Sequence, residues 1–280
     1  MRARPLNSLI RLSAALTLPL LIAAGCSDKS ADDDTSGGAD GGADGGADGA
    51  DGGGDTGAPA PEAVCDEPTE VECVDALILD LSLHDDKISE GAVDTTQDGE
   101  DFITIVDATA GGYNQATNNP WVYIKFTPEG AQKVELDDES ALESMDWDMS
   151  LRRFLLRLNS GASGPSCVGA AALLESTYED ITEAPEGLPY AQDAYYTGDC
   201  TIINDSSGLP GSPQVAMSAW WSYQSCVQTT FVPHIVQLAD GHLIKLVVET
   251  YYLVDQDVCN ERGSGGDESG WITLRWRYLL

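Results

Sequence analysis

The amino-acid sequence predicts an all-β, predominantly antiparallel domain with minor helix, carried behind a signal peptide and a disordered linker. Two observations lead to this prediction. Residues 1–63 contain one short apolar segment and a glycine-rich tract with almost nothing to bury in a core. The rest of the chain alternates apolar and polar residues with a period of two, between closely spaced turn signals, as antiparallel strands do.

Residues 1–25 contain the parts of a secretory signal peptide in the usual order. Three arginines form a basic start, and the apolar stretch of residues 12–24 is too short to span a bilayer. Small residues then precede Cys26, an ending that resembles a bacterial lipobox, in which the cysteine sulfur carries the lipid. Serine, not aspartate, stands at position 27. We therefore expect an exported protein, cleaved before Cys26 and lipid-anchored at the outer membrane or cell surface.

Residues 26–63 form the predicted linker, which consists of the lipidated Cys26 and a tether rich in Gly, Asp and Ala. The tether repeats Gly-Gly-Ala-Asp units with a period of four. Calcium-binding β-rolls need a nine-residue repeat with an apolar position, and this tract has neither. It is therefore expected to be a disordered spacer that holds residues 64–280 away from the membrane.

The charge and the short list of reactive side chains exclude several classes of function. The chain has 47 acidic and 14 basic residues and a net charge of −33, which repels nucleic acid. Its three histidines lie in no triad-like context, and neither a phosphate-binding loop nor a dinucleotide fingerprint occurs. We expect a non-enzymatic protein without nucleic-acid partners.

Cysteine content indicates an oxidising compartment. Beyond Cys26 there are six cysteines, an even number that predicts three disulfides within residues 64–280, namely among Cys65, Cys73, Cys167, Cys200, Cys226 and Cys259. Sequence proximity favours a local Cys65–Cys73 bond, and the other four cysteines allow three pairings. No cysteine or histidine pattern has zinc spacing, so no structural metal is expected.

Three segments give the clearest local predictions. Residues 121–126 are rich in aromatic and β-branched side chains and follow an Asn-Asn-Pro turn, which is typical of a strand. Residues 271–278 alternate as a half-buried strand does, and residues 234–238, 239–241 and 242–253 predict a β-hairpin. Short helical turns are expected at residues 142–145 and 170–175.

The most distinctive stretch is residues 147–161. It is interpreted as one strand with Trp147, Arg153 and Arg157 on one face and Phe154, Leu156 and Leu158 on the other, ending in an Asn-Ser-Gly turn. A glycine-rich loop follows. This arrangement resembles the signature of the HmuY family of haem-binding bacterial lipoproteins.

Three further segments resemble that family in the same order along the chain. They are the Trp-Val-Tyr-Ile-Lys-Phe strand of residues 121–126, the Ala-Asp-Gly turn of residues 239–241 followed by Lys245 and Tyr251, and the Gly-Trp-Ile-Thr strand from Gly270 to Tyr278. The resemblance spans roughly residues 89–280. It implies an all-β fold in which two β-layers grip a haem, on a surface lipoprotein.

The resemblance also implies two axial iron ligands, at about Ser225 and within residues 195–214. Neither place offers histidine or methionine, so the family's histidine pair is absent. The remaining haem-ligand candidates are Met217, His234 and His242. His234 and His242 lie on opposite strands of the predicted hairpin and are too far apart to bind one iron together.

Each candidate also has a structural interpretation. His234 and His242 are expected as surface or edge residues, Met217 as a core residue with Trp220 and Trp221, and His84 as exposed. Two functions therefore remain open. One is haem or porphyrin binding with non-standard ligands; the alternative is a non-haem ligand-binding or protein-interaction module on the same fold.

Overall fold

A computed structural model describes residues 61–204 and 213–279 of the chain. The predicted signal peptide, Cys26 and nearly all of the tether lie outside these residues. The described strands are β1 (Val93–Asp98), β2 (Asp101–Asp107), β3 (Val122–Thr127), β4 (Gly130–Val134), β5 (Met149–Arg152), β6 (Leu155–Leu158), β7 (Gly169–Ala172), β8 (Trp221–Tyr223), β9 (Val227–Thr229), β10 (His234–Gln237), β11 (Leu243–Val254) and β12 (Asp267–Leu279).

Helix is a minor component of these residues. The α-helices are α1 (Val74–Leu81) and α2 (Gln256–Arg262), and short 3-10 helices occur at Tyr113–Asn118, Ser140–Leu142 and Ser218–Trp220. Within the described part of the chain, no helix is long and apolar enough to cross a bilayer.

The strands form two principal sheets in which all pairs are antiparallel. One sheet has six strands in the order β1-β2-β12-β11-β10-β7, and the other has four in the order β4-β3-β5-β6. β8 and β9 form a separate hairpin. The predicted all-β, predominantly antiparallel fold is confirmed.

Two hydrophobic cores lie on opposite faces of the four-stranded sheet because side chains of a strand alternate between faces. Val122, Ile124 and Phe126 of β3 point into the main core, which lies between the two sheets. Trp121 and Tyr123 point the other way, into a second core that is covered by α1. The register of β3 therefore decides which aromatic residues surround the arginines of the neighbouring strands.

Two of the strongest local predictions are confirmed. β10 and β11 form the expected hairpin, with His234 opposite Leu246 and the backbone N–H of Leu238 bonded to the carbonyl of His242 at 2.9 Å. In β12 the side chains of Ile272, Leu274 and Trp276 are buried and those between them are partly exposed.

The prediction of one continuous strand over residues 147–161 is wrong. The chain instead makes the β5–β6 hairpin, in which Leu151 pairs with Leu156. Arg153 lies in the tight turn with φ 55°, and the carbonyl of Ala108 accepts its N–H at 2.7 Å. Long-range contacts therefore stabilise this turn, which contains no glycine, proline or asparagine that would predict it from sequence.

The helical turns predicted at residues 170–175 and 142–145 are also misplaced. Ala170–Ala172 belongs to β7, where pairing with β10 overrides the helix preference of three alanines. The second turn occurs earlier, at Ser140–Leu142. Neither α1 nor α2 was predicted, because each is only about two turns long.

The structure has three disulfides, as the even cysteine count predicts, but the expected Cys65–Cys73 bond is wrong. The bonds join Cys65 to Cys167, Cys73 to Cys200, and Cys226 to Cys259. We name residues 61–81 the N-terminal strap. Both of its cysteines bind loops more than 100 residues away, because the strap crosses the domain surface and does not fold on itself.

Candidate functional site

Two arginines of the β5–β6 hairpin, Arg152 and Arg157, meet at one aromatic ring of the second core, whereas Arg153 lies over the ring of Tyr251 at 5.6 Å. The guanidinium carbon of Arg152 lies 4.6 Å from the ring centroid of Trp121, and that of Arg157 lies 4.7 Å from it. Trp147 adds a second ring 6.0 Å from Arg157. A cation–π contact between desolvated groups stabilises the folded state by about 2 kcal/mol. This cluster therefore contributes strongly to the packing of β3, β5 and β6 against one another.

Arg157 is fully buried, and most of its hydrogen bonds go to the glycine-rich loop. Its Nη2 donates to the carbonyl of Ser163 at 2.7 Å, and its Nε donates to the Ser163 hydroxyl at 3.3 Å. Arg152 donates to the carbonyls of Ser82 and Asn119 at 3.2 and 3.3 Å. Burial lowers the pKa of Arg152 to about 10, and the Asp138 carboxylate opposes this.

Two buried carboxylates organise the backbone around the arginines. Asp138 accepts from the N–H of Trp121 at 2.9 Å and from the hydroxyl of Tyr123 at 3.1 Å. Asp193 accepts from the N–H groups of Leu158 and Ala216 at 3.0 and 2.8 Å. Burial raises the pKa of both carboxyl groups although these hydrogen bonds lower it.

The glycines after β6 are required by close packing. A Cβ on Gly164 would lie 2.2 Å from Asn159 Oδ1 and 2.7 Å from Trp147 Cζ2. Gly161 has φ 54°, and a Cβ there would lie 2.3 Å from the Asp193 carbonyl oxygen. The sequence signature is therefore mainly a folding motif, although Arg157 Nη1 and the Ser160 hydroxyl have no hydrogen-bond partner in the described structure.

His234 is the most unusual of the haem-ligand candidates. Its side chain shares the inner face of the six-stranded sheet with Val236, because the two are two residues apart on β10, and it is 0% exposed. Among the described residues, neither ring nitrogen has a hydrogen-bond partner of good geometry. Leaving a buried polar group unsatisfied costs about 1–3 kcal/mol. The expectation that His234 is a surface or edge residue is wrong.

Burial also keeps the imidazole neutral. Desolvation lowers the pKa of His234 to about 4, and a hydrogen bond with the Val232 backbone acts in the opposite direction without offsetting it. The unprotonated nitrogen that a metal requires is therefore present at neutral pH.

Met217 and the tandem tryptophans lie in the same main core as the His234 face. Met217 is fully buried, as are the rings of Trp220 and Trp221, whose centroids are 6.2 Å apart. Trp220 also packs against Tyr251, at 6.3 Å. The structure places these residues as the core interpretation predicts. Neither indole N–H has a partner within the described residues, so this region holds several unsatisfied polar atoms.

The other two histidines lie apart from His234. His242 is partly exposed beside the hairpin turn, where its Nδ1 is 3.1 Å from an Asp240 carboxylate oxygen, and it is thus at the opposite end of β10. His84 is half-buried rather than exposed, with Nε2 3.2 Å from the Thr117 carbonyl oxygen. Cys226 is in a disulfide, so it offers no thiolate at the expected ligand position beside Ser225.

Surface clefts lie elsewhere in the domain. Clefts of 340 to 660 Å³ occur among the described residues, and these clefts are lined by neither His234 nor Met217. In the same part of the chain, no three His, Cys, Asp or Glu residues group as metal ligands. Sequence patterns could not reveal the unsatisfied nitrogens of His234, because only the strand register decides which face its side chain occupies.

Comparison with known proteins supports the resemblance. The sequence profile of the HmuY protein family matches residues 117–276. No curated protein matches the chain. A Bacteroides vulgatus protein described as HmuY-like and haem-binding is 17% identical, with a TM-score of 0.42 over 68% of this chain and 99% of that one.

Two other solved structures are similar at lower scores. A lipoprotein of Bacteroides fragilis is 15% identical with a TM-score of 0.39, covering 66% of this chain and 95% of its own. The apo HmuY analogue of Tannerella forsythia is 14% identical with a TM-score of 0.36, covering 70% and 100%. Because the family profile covers more than half of the 280 residues, the chain belongs to the HmuY family.

Proposed function

We propose that this protein is a non-catalytic, lipid-anchored surface protein that binds haem or a related porphyrin without the histidine pair of its family. His234 is the proposed axial donor. The observation that carries the proposal is the buried imidazole of His234, which stays neutral at pH 7 and neither of whose nitrogens has a hydrogen-bond partner of good geometry among the described residues.

The surroundings of His234 suit a porphyrin chemically. The main core nearby supplies large aromatic faces in Trp220, Trp221 and Tyr251, on which a macrocycle can stack. The unsatisfied indole N–H groups can donate to carboxylate groups of the ligand. Because His234 is 0% exposed, binding requires the segment that carries the tandem tryptophans to move.

Absorbance titration of the purified protein with haemin tests this proposal. We expect a saturable shift of the Soret band at one haemin per chain. Iron-free protoporphyrin is the matched comparison, since it keeps the macrocycle and its carboxylates but offers no metal to His234. The absence of any saturable spectral change at micromolar haemin would overturn the proposal.

The alternative is a non-haem ligand or a protein partner. It is favoured by a different observation, namely that the described clefts have carboxylates and no histidine or methionine among their lining residues. A negative haemin titration in a correctly folded protein would select this alternative.

The proposed anchor is tested separately from the ligand. Intact-mass measurement of the membrane-extracted protein is expected to show a chain that starts at Cys26 and carries lipid mass. A Cys26→Ala variant is expected to lose that mass and leave the membrane fraction. An unmodified, membrane-bound chain would contradict this anchor.

A further inference from the structure

The N-terminal strap precedes the family match and builds a surface of its own. Disulfides join it to the glycine-rich loop at Cys167 and to Cys200. The N–H and the hydroxyl of Thr69 both donate to the carbonyl of Pro165, at 2.8 and 3.0 Å. These bonds hold the strap in place, so the clefts along it are built features of the domain.

The first cleft lies between the strap and the 3-10 turn at Ser140–Leu142 and has a volume of about 660 Å³. Its apolar wall includes Val71, Val74, Ile78 and Leu142. Its acidic residues are Glu70, Glu139 and Glu143, and none of its lining residues is basic. The cleft thus combines an apolar wall with a negative rim.

The carboxylates of this rim are available to a ligand. Among residues 61–204 and 213–279, the side chains of Glu70, Glu139 and Glu143 make no hydrogen bond or ion pair. Surface carboxylates that bond to nothing in their own chain can pair with a cation at little desolvation cost. In a protein with a net charge of −33, they also steer cations toward the cleft.

A second cleft, of about 340 Å³, shares Thr69 and Glu70 with the first and adds Glu72. Ser166 is among its lining residues and is only 2% exposed. The Ser166 hydroxyl has no hydrogen-bond partner in the described structure. A buried hydroxyl left unsatisfied is costly, and its oxygen is shielded from solvent in this conformation, so a rotation of the Ser166 side chain is needed to bring it to a polar ligand atom in the cleft.

We propose that the two clefts together bind a polypeptide segment in which basic side chains alternate with apolar ones. Its ammonium or guanidinium groups pair with the rim carboxylates, and its apolar side chains cover Val74 and Ile78. Once the Ser166 side chain has rotated toward the cleft, a backbone amide or carbonyl of the segment bonds to its hydroxyl. A small inorganic cation would leave the apolar wall uncovered, and the carboxylates of a porphyrin would be repelled by the rim.

Binding of a fluorescein-labelled peptide of alternating lysine and leucine to the full chain tests the proposal by anisotropy. We expect saturable binding that weakens about fivefold or more in the Glu139→Gln/Glu143→Gln variant. The matched control is Asp94→Asn/Asp98→Asn, which removes two exposed carboxylates of β1 and is expected to change the affinity less than about twofold. A Val74→Thr variant keeps the shape of the wall and is expected to weaken binding.

Three results would overturn the proposal. They are no saturable binding at low salt, an equal loss of affinity in both carboxylate variants, and spermine binding as tightly as the peptide with no effect of Val74→Thr. The equal loss would mean that the peptide responds only to overall charge. Haemin affinity of the same variants is measured in parallel, so failure here is distinguishable from failure of the porphyrin proposal.

Discussion

Replacing His234 by leucine is expected to make the protein more stable, and increasingly so as the pH falls. The substitution removes two buried ring nitrogens that have no hydrogen-bond partner of good geometry in the described structure, and it puts an apolar side chain of similar size beside Leu246. At pH 7.5, removing the unsatisfied group is expected to raise the free energy of unfolding by about 1 kcal/mol or more.

The pH dependence follows from the pKa of His234, which is about 4 in the folded protein and about 6.5 in the unfolded chain. Because the folded pKa is depressed, the unfolded state binds the proton first, and acid destabilises the wild type from pH 6.5 downward. Linkage gives a loss of about 2 kcal/mol at pH 5 and about 3 kcal/mol at pH 4. The leucine variant does not suffer this loss.

The stability of the wild type must be compared with that of His234→Leu at each pH, because Asp148 also titrates in this range. Burial raises the pKa of this carboxyl to about 6, so its contribution has the opposite sign, and acidification through pH 6 relieves a cost. The two effects largely cancel in the wild type alone. They separate in the difference between wild type and His234→Leu, because Asp148 is common to both.

Urea unfolding at pH 7.5, 6, 5 and 4, followed by tryptophan fluorescence, measures this difference. Four tryptophans are at most 1% exposed in the folded state, so unfolding changes their emission strongly. We expect the stability difference to grow by about 3 kcal/mol between pH 7.5 and pH 4. A difference that stays constant with pH would refute the reasoning, since it would mean that His234 is hydrated or hydrogen-bonded in the folded protein.

Three further predictions concern the architecture. Arg157→Met is expected to lower the free energy of unfolding by about 3 kcal/mol, because Asp193 and Asp138 lose a buried cation. A loss below about 1 kcal/mol in urea unfolding would contradict the folding role of residues 147–164. Gly164→Ala is expected to cost about 1–3 kcal/mol in the same assay, since its Cβ would lie 2.2 Å from Asn159 Oδ1, and a neutral outcome would refute the close packing. Cys65→Ser/Cys167→Ser is expected to lower the free energy of unfolding by about 2–5 kcal/mol and to make the N-terminal strap susceptible to limited proteolysis. Unchanged cleavage would show that the strap is held in place without this disulfide.

Much of the fold could be predicted from sequence because strand periodicity is a local property. The β10–β11 hairpin and β12 were predicted from alternation and an Asp-Gly turn, and the register followed. The β5–β6 hairpin was missed because Arg153 occupies its turn, with a positive φ that depends on distant contacts at Ala108. The Cys65–Cys167 bond was also missed because it depends on contacts distant in sequence. No residue near either cysteine indicates the path of the N-terminal strap.

The site was less predictable than the fold. Sequence identified His234, Met217 and His242 as the remaining donors and showed that the two histidines cannot act together. It could not show that His234 faces the core without partners, because this depends on the register of β10 between β7 and β11. The acidic clefts along the strap also went unpredicted, since they are made by segments about 70 residues apart in sequence.

The haemin affinity of His234→Leu relative to that of His242→Leu tests the proposed role of His234 most directly. Both variants lose one imidazole from the same hairpin, but only His234 lies inside the core. Because His234→Leu is expected to be the more stable protein, weaker binding in that variant cannot be attributed to unfolding. We predict haemin binding at least about tenfold weaker in His234→Leu and within about twofold of the wild type in His242→Leu. Equal haemin affinity in the two variants would contradict the assignment of His234 as the iron ligand.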